Sequence, residues 1–173
     1  MTGNETGRAV VVMGVSGSGK TTVAERLAER LRWPFLEGDR LHPEANVEKM
    51  RQGIPLDDSD RAPWLDRIGA ELKNWAAEGR SGVLACSALK RAYRARISSA
   101  RPNVRFVYLK GSEALITSRV AARHHEYMPA SLLKSQFAAL EEPTPDEGVI
   151  TVDATGTPDA EVAAVLAALG IGE

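Results

Sequence analysis

From residue 14 to residue 21 the chain reads Gly14-Val-Ser-Gly-Ser-Gly-Lys-Thr21, the G-x-x-x-x-G-K-[ST] spacing with which a loop cradles phosphate. Its glycines let successive backbone N–H groups converge on phosphate oxygens, and a helix starting at its end adds partial positive charge. On this reading Gly14, Ser16, Gly17, Ser18, Gly19, Lys20, Thr21 and Thr22 bind the nucleotide. Lys20 reaches the β and γ phosphates and the Thr21 hydroxyl ligates Mg²⁺. The dinucleotide pattern G-x-G-x-x-G fails, because Gly17-Ser-Gly19 is followed by Lys20, Thr21 and Thr22. A GTPase would need N-K-x-D, which the chain lacks, and the D-x-x-G string at Asp153 to Gly156 comes after the last predicted strand. ATP is the default triphosphate.

A second chemical group follows 19 residues after Lys20, in Glu37-Gly-Asp39. A carboxylate at the end of a strand can accept a proton from an attacking hydroxyl or bind Mg²⁺, the two tasks that phosphoryl transfer gives to acids. A third feature is charge. From Arg80 to Lys110 lie eight basic residues, Arg80, Lys90, Arg91, Arg94, Arg96, Arg101, Arg105 and Lys110, without one Asp or Glu. This stretch supports an anionic acceptor. Ser87-Ala-Leu-Lys90 stands at the end of a predicted strand, and Lys90 and Arg94, at i and i+4, could bind one carboxylate or phosphate together. Only Tyr93 interrupts the cluster, so a nucleic-acid surface is the weaker reading.

The elements that must position these groups alternate. Ala9–Met13, Pro34–Leu36, Val83–Cys86, Val104–Leu109 and Val149–Val152 are short, apolar, β-branched runs, as strands buried on both faces of a sheet are. Helical spacing marks Lys20 to Leu31, Trp64 to Trp75, Leu115 to Val120 and Ala160 to Leu169. Strands alternating with helices imply right-handed βαβ units and a five-stranded, mostly parallel α/β sheet covered on both faces, with ligands at the carboxyl ends of its strands. The remainder is local: a Pro- and Asp-rich insertion within about residues 40–63, and a polar segment after the fourth strand. At 173 residues a single domain spanning 1–173 is expected. A net charge of −1 gives no global field for nucleic acid or anionic membrane. One cysteine, Cys86, excludes an internal disulfide and any multi-cysteine metal site. With no apolar run of membrane length and no leader-like start, a cytoplasmic protein is expected.

The motifs resemble the gluconate kinases (gluconokinases) of the small P-loop kinase group, over nearly the whole chain. The blocks are Met13-Gly-Val-Ser-Gly-Ser-Gly-Lys20, Gly38-Asp39 with Leu41-His-Pro43, Glu48-Lys-Met50, Pro55-Leu56 with Asp60-Arg61 and Pro63-Trp64, Cys86-Ser-Ala-Leu-Lys90 with Tyr93-Arg94, Tyr108-Leu-Lys-Gly111, and Ser135-Gln136 with Leu140-Glu141. The phosphate loop is shared by many families, whereas the later blocks are specific. The resemblance implies transfer of the ATP γ-phosphoryl group to the 6-hydroxyl of D-gluconate. It assigns Asp39 to the acceptor hydroxyl, and His42, Arg61, Ser87, Lys90, Arg94 and Gln136 to the substrate. Trp64, Lys49 and Arg51 are weaker candidates for the same pocket. It further implies a lid at about residues 119–140, whose Arg119 and Arg123 cover the transferring phosphates and exclude water. The family usually carries Asp where this chain has Glu37, which therefore receives no role here.

Two other readings stay open: a related metabolite kinase resembling shikimate kinase, and a nucleotide-binding module without turnover. A metal site at His124-His125 is disfavoured, since neighbouring histidines on a helix diverge and no acid or cysteine cluster accompanies them. A homodimer is left open.

Overall fold

The computed structural model describes residues 7–122 and 130–171. Arg123, His124 and His125 lie outside the described residues. The elements run β1 (Ala9–Met13), α1 (Lys20–Leu31), β2 (Phe35–Glu37), a 3-10 turn (Gly38–Leu41), α2 (Glu44–Arg51), α3 (Asp58–Ala77), β3 (Gly82–Ala85), α4 (Arg91–Ser98), β4 (Val104–Lys110), α5 (Glu113–Ala122), α6 (Ala130–Ala139), a second 3-10 turn (Pro145–Glu147), β5 (Ile150–Asp153) and α7 (Pro158–Leu169). All five strands pair in parallel, in the order β2-β3-β1-β4-β5. Among the described residues no helix is long and apolar enough to cross a membrane.

Parallel strands must bury both faces, and the period-2 alternation divides the side chains accordingly. On one face Val11, Met13, Leu84, Cys86, Phe106 and Tyr108 pack with Trp64, Leu65, Ile68 and Leu72 of α3 and with Tyr93 and Ile97 of α4. On the other, Val10, Val12, Val83, Ala85, Val107 and Leu109 pack with Val23 and Leu27 of α1 and Val162 and Val165 of α7. A smaller cluster, Val15, Leu89, Ile116 and Leu133, joins α5 and α6 to the phosphate loop.

Several boundaries shift, most by a residue or two, and two of the shifts bear on the site, each for a local reason. Helix α3 begins six residues before Trp64 because Asp57 and Asp60 form a reciprocal capping box that satisfies its first N–H groups. Pro63 sits inside this helix on its exposed side, where the chain tolerates its missing N–H. Strand β2 is shifted one residue onward, so Glu37 belongs to the strand. Glu37 pairs in register with Ala85, and Ala85 with Val12. The carboxyl ends of β2, β3 and β1 therefore finish side by side, and the segments that follow them build one site.

Candidate active site

The chain leaves β1 at the phosphate loop and enters α1 at Lys20, with Gly19 at the helix N-cap in the left-handed region, φ 91°. Gly17 also has positive φ, and a Cβ there would come within 2.5 Å of Val120 Cγ2. Helix α5 lies that close to the loop. Lys20 is buried although charged, as is Ser18, whose hydroxyl is the only buried side-chain polar atom without a partner among the described residues. A buried orphan hydroxyl beside a row of loop N–H groups fits a phosphate-binding cradle.

From β2, Glu37 reaches back across the site. The Thr21 hydroxyl donates to its Oε2 at 2.5 Å, and the Asp39 backbone N–H donates to its Oε1 at 3.3 Å. One carboxylate thus ties the Thr21 hydroxyl, at the end of the loop, to the turn that carries Asp39. Sequence reasoning quoted Glu37 but gave it no role; the signal available was its spacing, two residues before Asp39 at a strand end. The turn is seated by Gly38, where a Cβ would come within 2.5 Å of the Ala85 carbonyl. The Gly38 carbonyl accepts the Trp64 indole N–H at 2.8 Å. Trp64 is thereby a buried support beneath the site, and it stacks on His42 with ring centroids 4.2 Å apart and planes 14° apart.

Between the loop and the insertion opens a cleft of about 180 Å³. Its polar wall consists of Ser16, Asp39, His42, Arg61, Ser87, Ser135 and Gln136, and its apolar wall of Met50, Pro55, Leu56, Leu89 and Leu132. Gln136, from α6, grips the loop twice: it accepts from the Ser16 backbone N–H at 2.7 Å and donates to the Ser16 hydroxyl at 3.0 Å. Arg61 belongs both to this cleft and to a shallower outer depression lined by Asp57, Asp58 and Lys90, which places it at the mouth. It donates to the Tyr93 hydroxyl at 3.1 Å and lies 5.5 Å from the Tyr93 ring centre. The Tyr93 hydroxyl in turn donates to Asp58. A larger cavity, about 760 Å³, opens among Arg8, Trp33, Asn103 and Arg105, at the amino-terminal ends of the strands and away from the phosphate loop.

The expected anion clamp of Lys90 and Arg94 does not form. Arg94 is 2 % exposed and commits all five donors: Nε and Nη2 to Glu147, Nη1 to the carbonyls of Ala88 and Leu89, and Nη2 also to that of Glu141. Lys90 precedes the first turn of α4 and pairs with Asp58 at 2.9 Å. The two side chains diverge because one is drawn into the protein by a buried carboxylate and the other outward by a surface one. Lys49 is likewise engaged, with Asp60 at 2.8 Å. Arg119 is half-buried on α5 over the loop, near Glu161 of α7, whose carboxyl burial pushes above its ordinary range. Cys86, fully buried in the core cluster with Met13, Leu84 and Trp64, has its thiol pushed far up by burial. It is no nucleophile at neutral pH.

Burial holds the His42 imidazole down at about 4, the neighbouring Asp39 opposing and Arg61 reinforcing the effect. A neutral histidine, a carboxylate, a cation and a phosphate loop thus meet at one small cleft, a set suited to moving a phosphoryl group onto a small hydroxylated acceptor.

Comparison with known proteins agrees with this assembly. Residues 10–143 match the family model described as AAA domain. A gluconokinase from Gluconobacter oxydans is 51 % identical over 152 residues, covering 88 % of this chain and 85 % of that protein. Among solved structures, a gluconokinase from Sinorhizobium meliloti superposes with a TM-score of 0.87 at 43 % identity, covering 95 % of this chain and 93 % of the other. A sugar kinase from Janibacter sp. superposes at 0.91, also at 43 % identity, with 96 % of each chain covered.

Proposed function

The chain belongs to the gluconokinase family, and from that premise we propose that its cleft holds D-gluconate for transfer of the ATP γ-phosphoryl group to the sugar acid's 6-hydroxyl. The observation that carries this reading is the cleft itself, whose lining brings Ser16 of the phosphate loop, Asp39 and Arg61 together, with Arg61 also lining the outer depression. Its volume, about 180 Å³, is below the roughly 300–1,000 Å³ of pockets for drug-sized ligands, which favours a small polar acceptor over a nucleoside. Arg61 is the only Arg or Lys lining it among the described residues. In this proposal the carboxylate of gluconate pairs with Arg61 at the mouth, while the distal hydroxyl points inward to Asp39.

Each residue then has a task. The loop residues Gly14 to Thr22 bind the triphosphate, with Lys20 on its terminal phosphates. Asp39 accepts the proton of the attacking hydroxyl. Arg119, on α5, adds positive charge toward the transferring group, and the family resemblance assigns Arg123 the same task. The residues present fit Mg²⁺: the Thr21 hydroxyl and the Glu37 carboxylate are adjacent hard oxygen donors. The described residues hold no group of three or more His, Cys, Asp or Glu that could cage a metal unaided, the arrangement expected where phosphates and water complete the shell. Bound there, Mg²⁺ would neutralise phosphate charge. Apolar α6 residues such as Leu132 and Leu133, both buried, keep water from the reacting groups, without which a kinase hydrolyses ATP.

Purified protein supplied with MgATP and, separately, gluconate, shikimate or a nucleoside monophosphate should release ADP with gluconate and form 6-phosphogluconate. Absence of gluconate-dependent ADP release overturns the proposal. Asp39→Asn should lower kcat by about 10² or more with ATP affinity little changed, since a general base contributes about 10²–10⁴. An unchanged kcat removes Asp39 from that role.

A further inference from the structure

We infer that Asn46 is a positioning residue that fixes the tautomer of His42, so that the imidazole meets the acceptor substrate as a hydrogen-bond donor through Nε2–H. The identity of that acceptor rests on the function proposed above; the tautomer does not.

Asn46 is 4 % exposed on α2, inside the insertion. Its Nδ2 lies 2.8 Å from the backbone carbonyl of Asp60 and 3.2 Å from His42 Nδ1. The carbonyl can only accept, so the atom facing it must be the amide nitrogen, and the orientation of the Asn46 amide is set. The second N–H of that nitrogen is then directed at His42 Nδ1. Two donors cannot share that contact, so Nδ1 carries the lone pair and the proton of the neutral ring resides on Nε2. The Asp60 carbonyl belongs to the first turn of α3, held by the Asp57–Asp60 capping box. The chain of constraint therefore runs from a helix cap through a buried amide to an imidazole.

The ring plane is fixed separately. Trp64 stacks on it and is itself tied to the Gly38 carbonyl. Asn46 holds one edge of the ring, and the ring lines the cleft together with Asp39 and Arg61. These are the two charged groups that act on it: Asp39 favours a second proton, Arg61 disfavours it, and burial decides for the neutral form. A fixed donor selects among ligands. An acceptor oxygen, such as a sugar hydroxyl or carboxylate, gains a hydrogen bond, whereas a ligand group that can only donate leaves a buried N–H unpaired, which costs more than a missing contact.

The direct test is nitrogen-15 NMR of the imidazoles in the full chain without ligand. His42 should show Nδ1 unprotonated and Nε2 protonated, and remain neutral well below pH 6.5. A proton on Nδ1, or a cationic ring at neutral pH, overturns the inference whatever the enzyme's substrate. Asn46→Asp replaces the donor with an acceptor of the same shape, so the His42 signal should move to a ring protonated at Nδ1. The gluconate KM should rise about 10-fold, the ATP KM staying within about 2-fold. Should that variant fail to fold, His42→Gln and His42→Asn decide. A Gln amide reaches the position of Nε2 and retains a donor there, whereas an Asn amide reaches only Nδ1. His42→Gln should raise the gluconate KM several-fold less than His42→Asn, and equal or reversed losses refute the donor role. If the NMR result holds while gluconate elicits no turnover, the tautomer stands and the proposed substrate falls.

Discussion

The Thr21 hydroxyl and the Glu37 carboxylate, 2.5 Å apart, join the phosphate loop to the strand that presents Asp39. Because the other oxygen of Glu37 accepts from the Asp39 N–H, the nucleotide side and the acceptor side of the site share one carboxylate. Glu37→Ala should therefore disturb both at once: kcat falls by about 10-fold or more, and the Mg²⁺ concentration giving half-maximal rate rises, with a smaller change in the gluconate KM. Loss of a hydrogen-bonded charge is worth about 1.5–3 kcal/mol, which sets that scale. Steady-state kinetics across a Mg²⁺ series reads it, and an unchanged Mg²⁺ dependence would show that Glu37 only braces the turn.

Arg61 and Lys90 make a discriminating pair. Arg61 lines the cleft, whereas Lys90 is turned to the outer depression and paired with Asp58. Arg61→Ala should raise the gluconate KM by roughly 10- to 100-fold, as expected for a charge-assisted contact, and Lys90→Ala by less than about 3-fold. The reverse ranking would move the carboxylate site to the outer depression.

Arg94 carries structure where the sequence suggested substrate. It ties the β3–α4 connection, through the Ala88 and Leu89 carbonyls, to the segment after α6, through Glu141 and Glu147. Arg94→Met leaves the nearly buried Glu147 carboxylate, 11 % exposed, without its partner. Breaking such a pair costs about 3–5 kcal/mol, a drop in Tm of roughly 6–20 °C for a chain of this size. Thermal melts check this, and the gluconate KM of the folded variant should change less than in Arg61→Ala. The Arg94 hydrogen bond also holds the Glu147 carboxyl below its ordinary range. That contribution is present at neutral pH and is lost on acidification through the folded value.

His42 links stability to pH in a defined direction. Its pKa is ordinarily 6.5 and is held at about 4 in the folded protein, first by burial. Between those values the unfolded chain binds a proton that the folded chain refuses. Stability therefore falls on acidification from about pH 6.5 to pH 4, by at most about 1.4 kcal/mol per pH unit for one proton. The difference in unfolding free energy between the native protein and His42→Gln, followed across that range, should show this slope. A flat difference would mean the ring titrates normally.

Much of the fold was legible because its signals are local. The phosphate loop, the five strand runs and helix α1 at Lys20–Leu31 follow from apolar periodicity and glycine spacing, and all five strands form within one residue of their expected starts. Helix α3 starts at Asp58, ahead of the Trp64 at which its apolar spacing begins, because its first turns bury no side chain and are set by the Asp57–Asp60 cap. Asn46 and Tyr93 could not be assigned, because their partners, His42 and Asp60 for the one and Asp58 and Arg61 for the other, are recognised by approach in space. Arg123 lies outside the described residues, so its covering role stays an expectation.

The chain by itself determined where phosphate binds, which strand end carries the acid, and which family it resembles, since each is written in residues near one another in sequence. Only the tertiary structure decided what the acid-free basic stretch is for. Six of its eight cations meet carboxylates from the acid-rich flanks: Arg80 with Glu78, Lys90 with Asp58, Arg91 with Asp146, Arg94 with Glu147, Arg96 with Asp66 and Lys110 with Glu142. Arg101 is spent on the carbonyls of Gly7, Arg80 and Pro102. Charge segregated along the chain was complementarity within the fold, and the cation that lines the cleft is Arg61, a residue outside that stretch. A linear count registers sign and position, but a charge is neutralised by what lies a few ångströms away in space, and folding alone sets that.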